Sequence, residues 1–194
     1  MSVQEQVLVE RLRRKDERAF AELIRLYQNQ VFTLVFRMLG DRGEAEDLAQ
    51  DVFLTVYKSI ETFRGDSKLS TWLYRIAVNH CYNKLKYLGR RGHKENQSLE
   101  TVNEGSPDVI APQPSKHADP QAALEGAELE RAIGHALTLL DEEHRVVIIL
   151  RDIEDLSYEE IAAITGLADG TVKSRLHRGR MALKQHLEKL WGKL

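Results

Sequence analysis

The 194-residue sequence contains a single cysteine, Cys81, which excludes a disulfide within the chain. A lone cysteine is typical of a protein that works in a reducing compartment. No apolar run approaches the roughly 20 residues that a membrane-spanning helix needs, and the longest aliphatic run covers only residues 146–150. The opening residues, MSVQEQVLVE, lack the basic and apolar stretches of a signal peptide. We therefore expect a cytoplasmic protein without membrane insertion.

The sequence also lacks the residue clusters that most enzymes use. No group of His, Cys or carboxylate residues has the spacing of zinc ligands, and no glycine-rich loop of the phosphate-cradling kind is present. The cysteine lies beside His80 on a predicted helix, without the further groups that would activate a nucleophile. We expect no catalytic activity, no metal ion, no cofactor and no small-molecule substrate.

The net charge of −2 hides an uneven distribution of charge along the chain. Residues 67–94 contain seven Lys or Arg and no acid, residues 95–160 contain sixteen acids and four Lys or Arg, and residues 161–194 contain seven Lys or Arg and two acids. Two basic regions separated by an acidic one indicate two anion-binding surfaces on separate modules. Ordinary solvated faces are the alternative interpretation.

Proline is confined to one stretch, because all four prolines lie within residues 107–120. The surrounding residues, 92–126, are rich in Ser, Gly, Asn and Gln and lack an apolar period, which predicts a flexible linker. On either side the apolar spacing is helical and no alternating strand pattern persists. The predicted fold class is all-α, with two small helical domains at 1–91 and 127–194 joined by this linker.

The first domain is predicted to contain four or five helices, three of which follow from caps and apolar stripes. Asp16 can cap a helix that ends at Gly40, a second helix begins near Arg42, and a third begins at Ser70 or Thr71. The third helix is predicted to stop at Gly89, since glycine and basic residues suit a helix C-terminus.

The second domain ends in a predicted helix-turn-helix. Ser157 and Glu160 form a capping box that starts one helix, and Gly166 follows in a turn. Asp169 can cap the last helix, whose outward face carries polar and basic side chains. In a helix-turn-helix this second helix enters the major groove of duplex DNA. A basic face exposed only to solvent is the alternative.

Aromatic and basic side chains also occur together around the start of the third helix. Residues 63–67 break the preceding helix, Trp72 follows, and Arg75, Asn79 and Lys86 lie on the outward face. Aromatic rings among cations are suited to holding unpaired bases, because stacking is worth roughly 1–3 kcal/mol per base. Core positions for Phe63 and Trp72 are the alternative.

Three segments resemble one known family. Residues 63–85, FRGDSKLSTWLYRIAVNHCYNKL, are similar to the promoter-melting and −10-recognition segment of sigma-E-like extracytoplasmic-function sigma factors of the sigma-70 family. Residues 44–60, EAEDLAQDVFLTVYKSI, resemble the core-polymerase-binding helix of that family, and residues 156–183 resemble its −35-binding helix-turn-helix. The resemblance implies sigma region 2 in the first domain and sigma region 4 in the second.

The resemblance implies three sets of site residues. The core-polymerase-binding set is Asp47, Leu48, Gln50, Asp51 and Leu54. The −10 DNA-binding and melting set is Phe63, Arg64, Gly65, Asp66, Ser67, Thr71, Trp72, Arg75, Asn79, Asn83, Lys84 and Lys86. The −35 DNA-binding set is Thr171, Lys173, Ser174, Arg175, His177 and Arg178, with a phosphate or structural role expected for Arg175. The implied partners are core RNA polymerase, promoter DNA and an anti-sigma factor, in a stress or envelope-signal response.

The sequence departs from the family pattern at three places. Ala168-Asp169 stands where many relatives have proline, and Gly179 stands where relatives usually carry alanine. His177 occupies an outward position that often carries another residue, so the −35 sequence does not follow from the resemblance. A conventional helix-turn-helix repressor or activator with a helical sensor domain is the competing interpretation, and it predicts a dimer on a palindromic operator.

The spacing of promoter elements constrains the linker. The two elements lie about 70 Å apart, and about 35 linker residues can extend to roughly 115 Å. An unconstrained linker spans only about 30–35 Å. We therefore expect polymerase to hold the two domains apart and the free chain to be more compact.

Overall fold

The computed structural model describes the backbone of residues 2–95 and 120–191, and the side chains of residues 2–90, 126 and 128–190. These residues are helical and include no β-strand, which confirms the all-α prediction. The middle of the predicted linker, residues 96–119, lies outside the described residues. None of the described helices is long and apolar enough to cross a membrane.

The first helical region contains four helices and a short 3-10 turn. In chain order these are α1 (Val3–Arg13), α2 (Glu17–Leu39), α3 (Arg42–Ser59), the turn Ile60–Thr62, and α4 (Leu69–Glu95).

The ends of α2 confirm the local signals in the sequence. The Asp16 side chain accepts hydrogen bonds from the amides of Arg18 and Ala19, at 2.9 and 3.3 Å. The helix ends at Gly40, which has φ of +78° and donates its N–H to the carbonyl of Phe36.

Helix α4 is longer than the sequence predicted. It begins at Leu69 and continues to Glu95, past the predicted stop at Gly89. A Cβ built at Gly89 would meet nothing within 4 Å, so this glycine lies on the open side of an uninterrupted helix. Glycine costs a helix only about 0.5–1 kcal/mol relative to alanine, which the helix-forming residues around it offset.

The second helical region contains four further helices. They are α5 (Pro120–Thr138), α6 (Glu142–Ile148), which continues into a π-helical turn (Ile149–Ile153), α7 (Tyr158–Thr165), and α8 (Asp169–Trp191). Helix α4 and helix α5 both extend into the range 92–126 that the composition predicted as linker.

The two regions pack against each other and share one cluster of buried apolar side chains. Helix α4 packs on α7, and α2 packs on α5. A buried arginine joins them: the Arg145 guanidinium donates to the carbonyls of Met38 on α2, Thr138 on α5 (2.7 Å) and Leu140 (2.8 Å). Gly40 allows this approach, because a Cβ there would lie 2.6 Å from Cγ2 of Thr138.

Candidate nucleic-acid interface

Helices α7 and α8 form the predicted helix-turn-helix. The Ser157 Oγ accepts a hydrogen bond from the Glu160 amide at 3.2 Å, and Oε2 of Glu160 accepts one from the Ser157 amide at 3.0 Å. These reciprocal bonds are the capping box that the sequence predicts. Gly166 then adopts φ of +73° and donates its N–H to the carbonyl of Ala162 at 2.8 Å, which ends α7 and turns the chain toward α8.

Helix α8 presents one apolar face to the core and one polar face to solvent. Val172 and Leu176 are buried. The exposed side chains of the opposite face are Lys173, Ser174, His177, Arg178 and Met181. Thr171 is half-buried, and its carbonyl accepts a hydrogen bond from Ser174 Oγ at 3.0 Å. Five of the six residues predicted to meet duplex DNA therefore lie along one side of the first turns of α8.

Arg175 is the sixth residue, and it points away from that face. Its Nη2 lies 2.7 Å from Oε2 of Glu143 on α6, and the side chain is half-buried. This ion pair supports the structural role rather than base contact.

Two of the departures from the family pattern, Ala168-Asp169 and Gly179, have local explanations. Asp169 is the first residue of α8 rather than its cap, since the Ala168 carbonyl accepts from the Val172 amide at 3.0 Å. An acid in the first turn is favourable to the helix dipole. Gly179 is buried against α6, where a Cβ would lie 2.9 Å from Cδ1 of Ile148. The glycine therefore permits close packing between α6 and α8.

The segment before α4 is divided between surface and core. Arg64 and Asp66 are exposed, Gly65 has φ of +84°, and Ser67 is half-buried. Phe63 is only 2% exposed, which places its ring in the core.

The first residues of α4 are also partly in the core and partly at the surface. Thr71 is only 4% exposed, and Trp72 is half-buried with its ring centroid 5.3 Å from that of Phe63. The alternative of core positions is therefore correct for Phe63, and Trp72 alone of the two aromatic residues retains a solvent-facing part.

Helix α1 holds the start of α4 and the segment before it through two hydrogen bonds. Sequence patterns did not indicate this feature. Oε1 of Glu5 accepts a hydrogen bond from the Leu69 amide at 2.6 Å and so caps α4. Nη2 of Arg13 donates to the Phe63 carbonyl at 2.6 Å. These partners are 64 and 50 residues apart in sequence, so no local motif marks them.

The outward face of α4 carries Arg75, Asn79, Asn83 and Lys86, all classed as exposed. The Arg75 guanidinium nevertheless reaches α7, where Nε donates to the Ala163 carbonyl at 2.8 Å. Lys84 leaves this face and forms an ion pair with Glu44 on α3.

Helix α3 carries the predicted core-polymerase-binding set, and the exposed members of that set form an acidic face. Asp47, Gln50 and Asp51 are exposed, and Leu54 is 51% exposed. Leu48, the remaining member of the predicted set, is 7% exposed and belongs to the buried stripe of α3.

Beside the acidic face of α3, α2 and α3 enclose a groove of about 550 Å³. Its apolar lining residues are Phe20, Ile24, Phe32, Ala49, Phe53 and Leu54. In the parts of the chain that the structure describes, no group of three or more His, Cys, Asp or Glu side chains could hold a metal ion.

Two family matches coincide with the two helical regions. Residues 23–91 match Sigma-70 region 2, and residues 130–183 match Sigma-70, region 4. The chain is 37% identical over 187 residues to the RNA polymerase sigma-H factor of Pseudomonas aeruginosa, a match that covers 96% of this chain and 95% of that protein. The chain belongs to the extracytoplasmic-function sigma factors. It is therefore an RNA polymerase sigma factor.

A further relative and a solved structure support membership of this sigma factor family. The ECF RNA polymerase sigma-E factor of Escherichia coli is 37% identical over 187 residues, covering 96% of this chain and 95% of that one. Among solved structures, the sigma factor RpoE in complex with the anti-sigma factor NepR from Bartonella quintana has a TM-score of 0.67 and 27% identity, covering 87% of this chain and 96% of that one. Matches over nearly the whole chain do not favour the repressor with a sensor domain.

Proposed function

We propose that this sigma factor binds core RNA polymerase through residues 1–91, captures −10 promoter bases with the same domain, and binds the −35 element through residues 127–194. Residues 92–126 would join the two as a flexible linker. The observation that carries the proposal is the exposed polar face of α8, placed directly after the capped α7 and the Gly166 turn. The chain would act in the cytoplasm, without catalytic activity of its own.

The face of α8 has the chemistry for reading duplex DNA. Arg178 and Lys173 are exposed cations that suit guanine O6 and N7, and Ser174 and His177 lie between them with hydrogen-bonding groups. Thr171 lies at the N-terminal end of the helix, which is the part that approaches base edges in a helix-turn-helix. Arg175 would support this face through its ion pair with Glu143.

The −10 contacts would come from the segment before α4 and the outward face of α4. Arg64, Asp66 and Ser67 flank Gly65, whose φ of +84° allows a turn at this point, and these side chains would contact single-stranded DNA.

On α4, Asn79 and Asn83 offer amide groups to unpaired bases, Lys86 offers charge to phosphates, and Trp72 offers part of a ring for stacking. Arg75 would add its charge to this face once it leaves the Ala163 carbonyl. Phe63 and Thr71 would act from the core as supports, and Lys84 through its pair with Glu44.

Core polymerase would dock on α3. Asp47, Gln50 and Asp51 provide an acidic, hydrogen-bonding surface, and exposed Leu54 borders the apolar groove that α2 and α3 enclose. Charge complementarity at the rim with an apolar centre is the usual composition of a protein interface.

A second protein partner follows from the similarity to a sigma factor solved with an anti-sigma factor. We propose that an anti-sigma factor also binds this chain and restrains it until a stress or envelope signal arrives.

Run-off transcription with purified core polymerase tests the proposed function. The protein should initiate at a subset of promoters from its own genome, and core polymerase alone should not. The double change Asp47→Ala and Asp51→Ala should abolish initiation, while the matched double change Glu17→Ala and Glu128→Ala, at exposed acids outside α3, should retain it. No initiation across the promoter panel would contradict the proposal.

A further inference from the structure

Tyr158, the first residue of α7, lies between cations of two neighbouring elements. The guanidinium carbon of Arg151, in the π-helical turn, lies 5.4 Å from the centre of the Tyr158 ring, and Nζ of Lys173 on α8 lies 5.7 Å from it. Both distances are within the roughly 6 Å at which the face of an aromatic ring attracts a cation. Lys173 belongs to the set predicted to meet duplex DNA, whereas Tyr158 does not.

The ring of Tyr158 is held in place by the residues around it. Tyr158 directly follows Ser157, whose capping box fixes the start of α7. The side chain is half-buried and packs against the core. Nη1 of Arg151 donates to the carbonyl of Leu156 at 2.8 Å, which ties the π-helical turn to the residues just before α7. The ring is therefore a rigid support beside the first turns of α8.

The cations of α8 are held in two different ways. Arg175 and Arg180 each form an ion pair with a carboxylate on another element. No carboxylate within the described ranges pairs with Lys173, whose ammonium faces the Tyr158 ring instead. A carboxylate neutralises a cation and occupies its N–H donors, whereas a ring face attracts the cation and leaves its formal charge and donors available. Lys173 is therefore ordered and still fully charged.

Glu159 is the acid that could compete with the ring for Lys173. Its side chain is exposed, and a hydrogen bond from its own backbone amide is the main cause of the lowered pKa of its carboxyl, to which the charge of Lys173 contributes less. The carboxylate is thus near Lys173 without forming an ion pair with it. The ring and this carboxylate can be separated by substitution, because they belong to different residues.

We propose that Tyr158 is a positioning residue for −35 binding: its ring holds the Lys173 ammonium in place without neutralising it, and the contact persists when duplex DNA is bound. This inference rests on the proposed function, because it names the residue that prepares Lys173 for the −35 duplex. Lysine carries its charge on a flexible four-carbon stem, and ordering such a side chain opposes binding. A stem that is already ordered in the free chain loses less freedom when DNA binds, so the ring raises the affinity.

A small set of substitutions separates the ring from the other groups nearby. Tyr158→Phe removes the hydroxyl and keeps the ring, whereas Tyr158→Leu removes the ring and keeps an apolar side chain. Lys173→Met removes the charge that the ring is proposed to hold, and Glu159→Gln removes the neighbouring carboxylate. Tyr57→Leu is the matched control, because Tyr57 is also half-buried and has Nζ of Lys15 at 4.9 Å from its ring centre, in the first helical region.

Nuclear magnetic resonance of the full chain with isotope-labelled lysine reports the contact directly. The ring current of Tyr158 should shift the ε-methylene proton resonances of Lys173 upfield in the free chain. Tyr158→Phe should keep this shift, and Tyr158→Leu should abolish it. The shift should also persist when the chain is saturated with −35 duplex, and its loss on DNA binding would overturn the inference, because the ring would then compete with DNA for Lys173.

Fluorescence anisotropy of a fluorescein-labelled duplex measures the effect on binding. The duplex carries the −35 element of a promoter at which the protein initiates in the run-off assay. Tyr158→Leu should weaken binding of this duplex by about two- to fivefold, the effect expected for an exposed cation–ring contact. Tyr158→Phe, Glu159→Gln and Tyr57→Leu should not weaken it. In the Lys173→Met chain, Tyr158→Leu should cause no further loss, because the two residues act as one unit.

Several results would overturn the inference. Equal weakening by Tyr158→Phe and Tyr158→Leu would assign the role to the hydroxyl, and an undiminished effect of Tyr158→Leu in the Lys173→Met chain would show that Tyr158 acts only on the fold. Unchanged affinity of the Tyr158→Leu variant would also contradict it. If that variant lacks the helical circular dichroism of the wild type, Tyr158→Met takes its place in both assays. A wild-type chain that binds no promoter duplex would contradict the proposed −35 function, and the inference would fail with it.

Discussion

Replacing Arg145 by alanine should destabilise the chain strongly, because this side chain is the polar centre of the contact between the two helical regions. It is 7% exposed, and its guanidinium donates to the carbonyls of Met38, Thr138 and Leu140. Its loss would leave buried carbonyls unsatisfied at about 1–3 kcal/mol each. Water that enters the vacated space can satisfy part of these carbonyls. The Nε of Arg145 has no hydrogen-bond partner among the described residues, so removing this buried group is favourable. Both effects reduce the total loss of stability. We expect a loss of about 3–5 kcal/mol in the free energy of unfolding.

Urea unfolding followed by circular dichroism measures this loss, with Arg131→Ala as the control on the exposed side of α5. The control should change the free energy of unfolding by less than about 0.5 kcal/mol. Because Met38 and Arg145 lie in different regions, the Arg145→Ala variant should also unfold less cooperatively. A loss below about 1 kcal/mol, with unchanged cooperativity, would refute the inference that Arg145 joins the two regions.

Five further substitutions, one of them in a pH series, test other parts of the structure. Gly40→Ala should lower the free energy of unfolding by about 1–3 kcal/mol, because φ is +78° and a Cβ would clash with Thr138. Gly89→Ala should raise the free energy of unfolding by about 0.5–1 kcal/mol. Thermal unfolding in which both substitutions changed stability in the same direction would be inconsistent with the geometry. In a fluorescence titration, Glu5→Ala should weaken binding of single-stranded −10 DNA, because it removes the cap of α4, and should leave binding of −35 duplex unchanged. The control Gln6→Ala, at an exposed position of α1, should leave both affinities unchanged. The hydrogen bond from Arg11 lowers the pKa of Asp16, so the stabilising contribution of Asp16 is complete above about pH 4 and is lost as the pH falls below that value. Asp16→Asn retains a cap and should therefore reduce the fall of the melting temperature between pH 5 and pH 3. An unchanged pH dependence would count against this ion pair.

The sequence predicted those features whose signals lie within a few residues. The Ser157 capping box, the Asp16 cap and the turn at Gly166 all follow from partners two to four positions apart, and the structure has each of them. The apolar stripes likewise placed the polar face of α8 correctly, since helical periodicity determines which side is buried.

Features that depend on distant partners could not be predicted in this way. Periodicity placed Glu160 in a cap but gave no reason for its second oxygen to meet Lys68, which is 92 residues away. The same limit applies to Arg145, whose partner Met38 is 107 residues away. Phe63 shows a different limit, because an aromatic residue in a helix-breaking segment is consistent with either a base-stacking or a core role. Only its burial and its packing against Trp72 decide.

The division of promoter binding between α4 and α8 is the central claim, and paired measurements of duplex and single-strand affinity test it most directly. Arg178→Ala should weaken binding of −35 duplex by roughly 5–150-fold, equivalent to about 1–3 kcal/mol, and leave single-strand affinity unchanged. Asn79→Ala, at an exposed position of α4, should do the reverse and slow opening of the −10 region by the holoenzyme. If both substitutions weakened the same interaction to the same extent, the assignment of the two promoter elements to the two helices would be wrong.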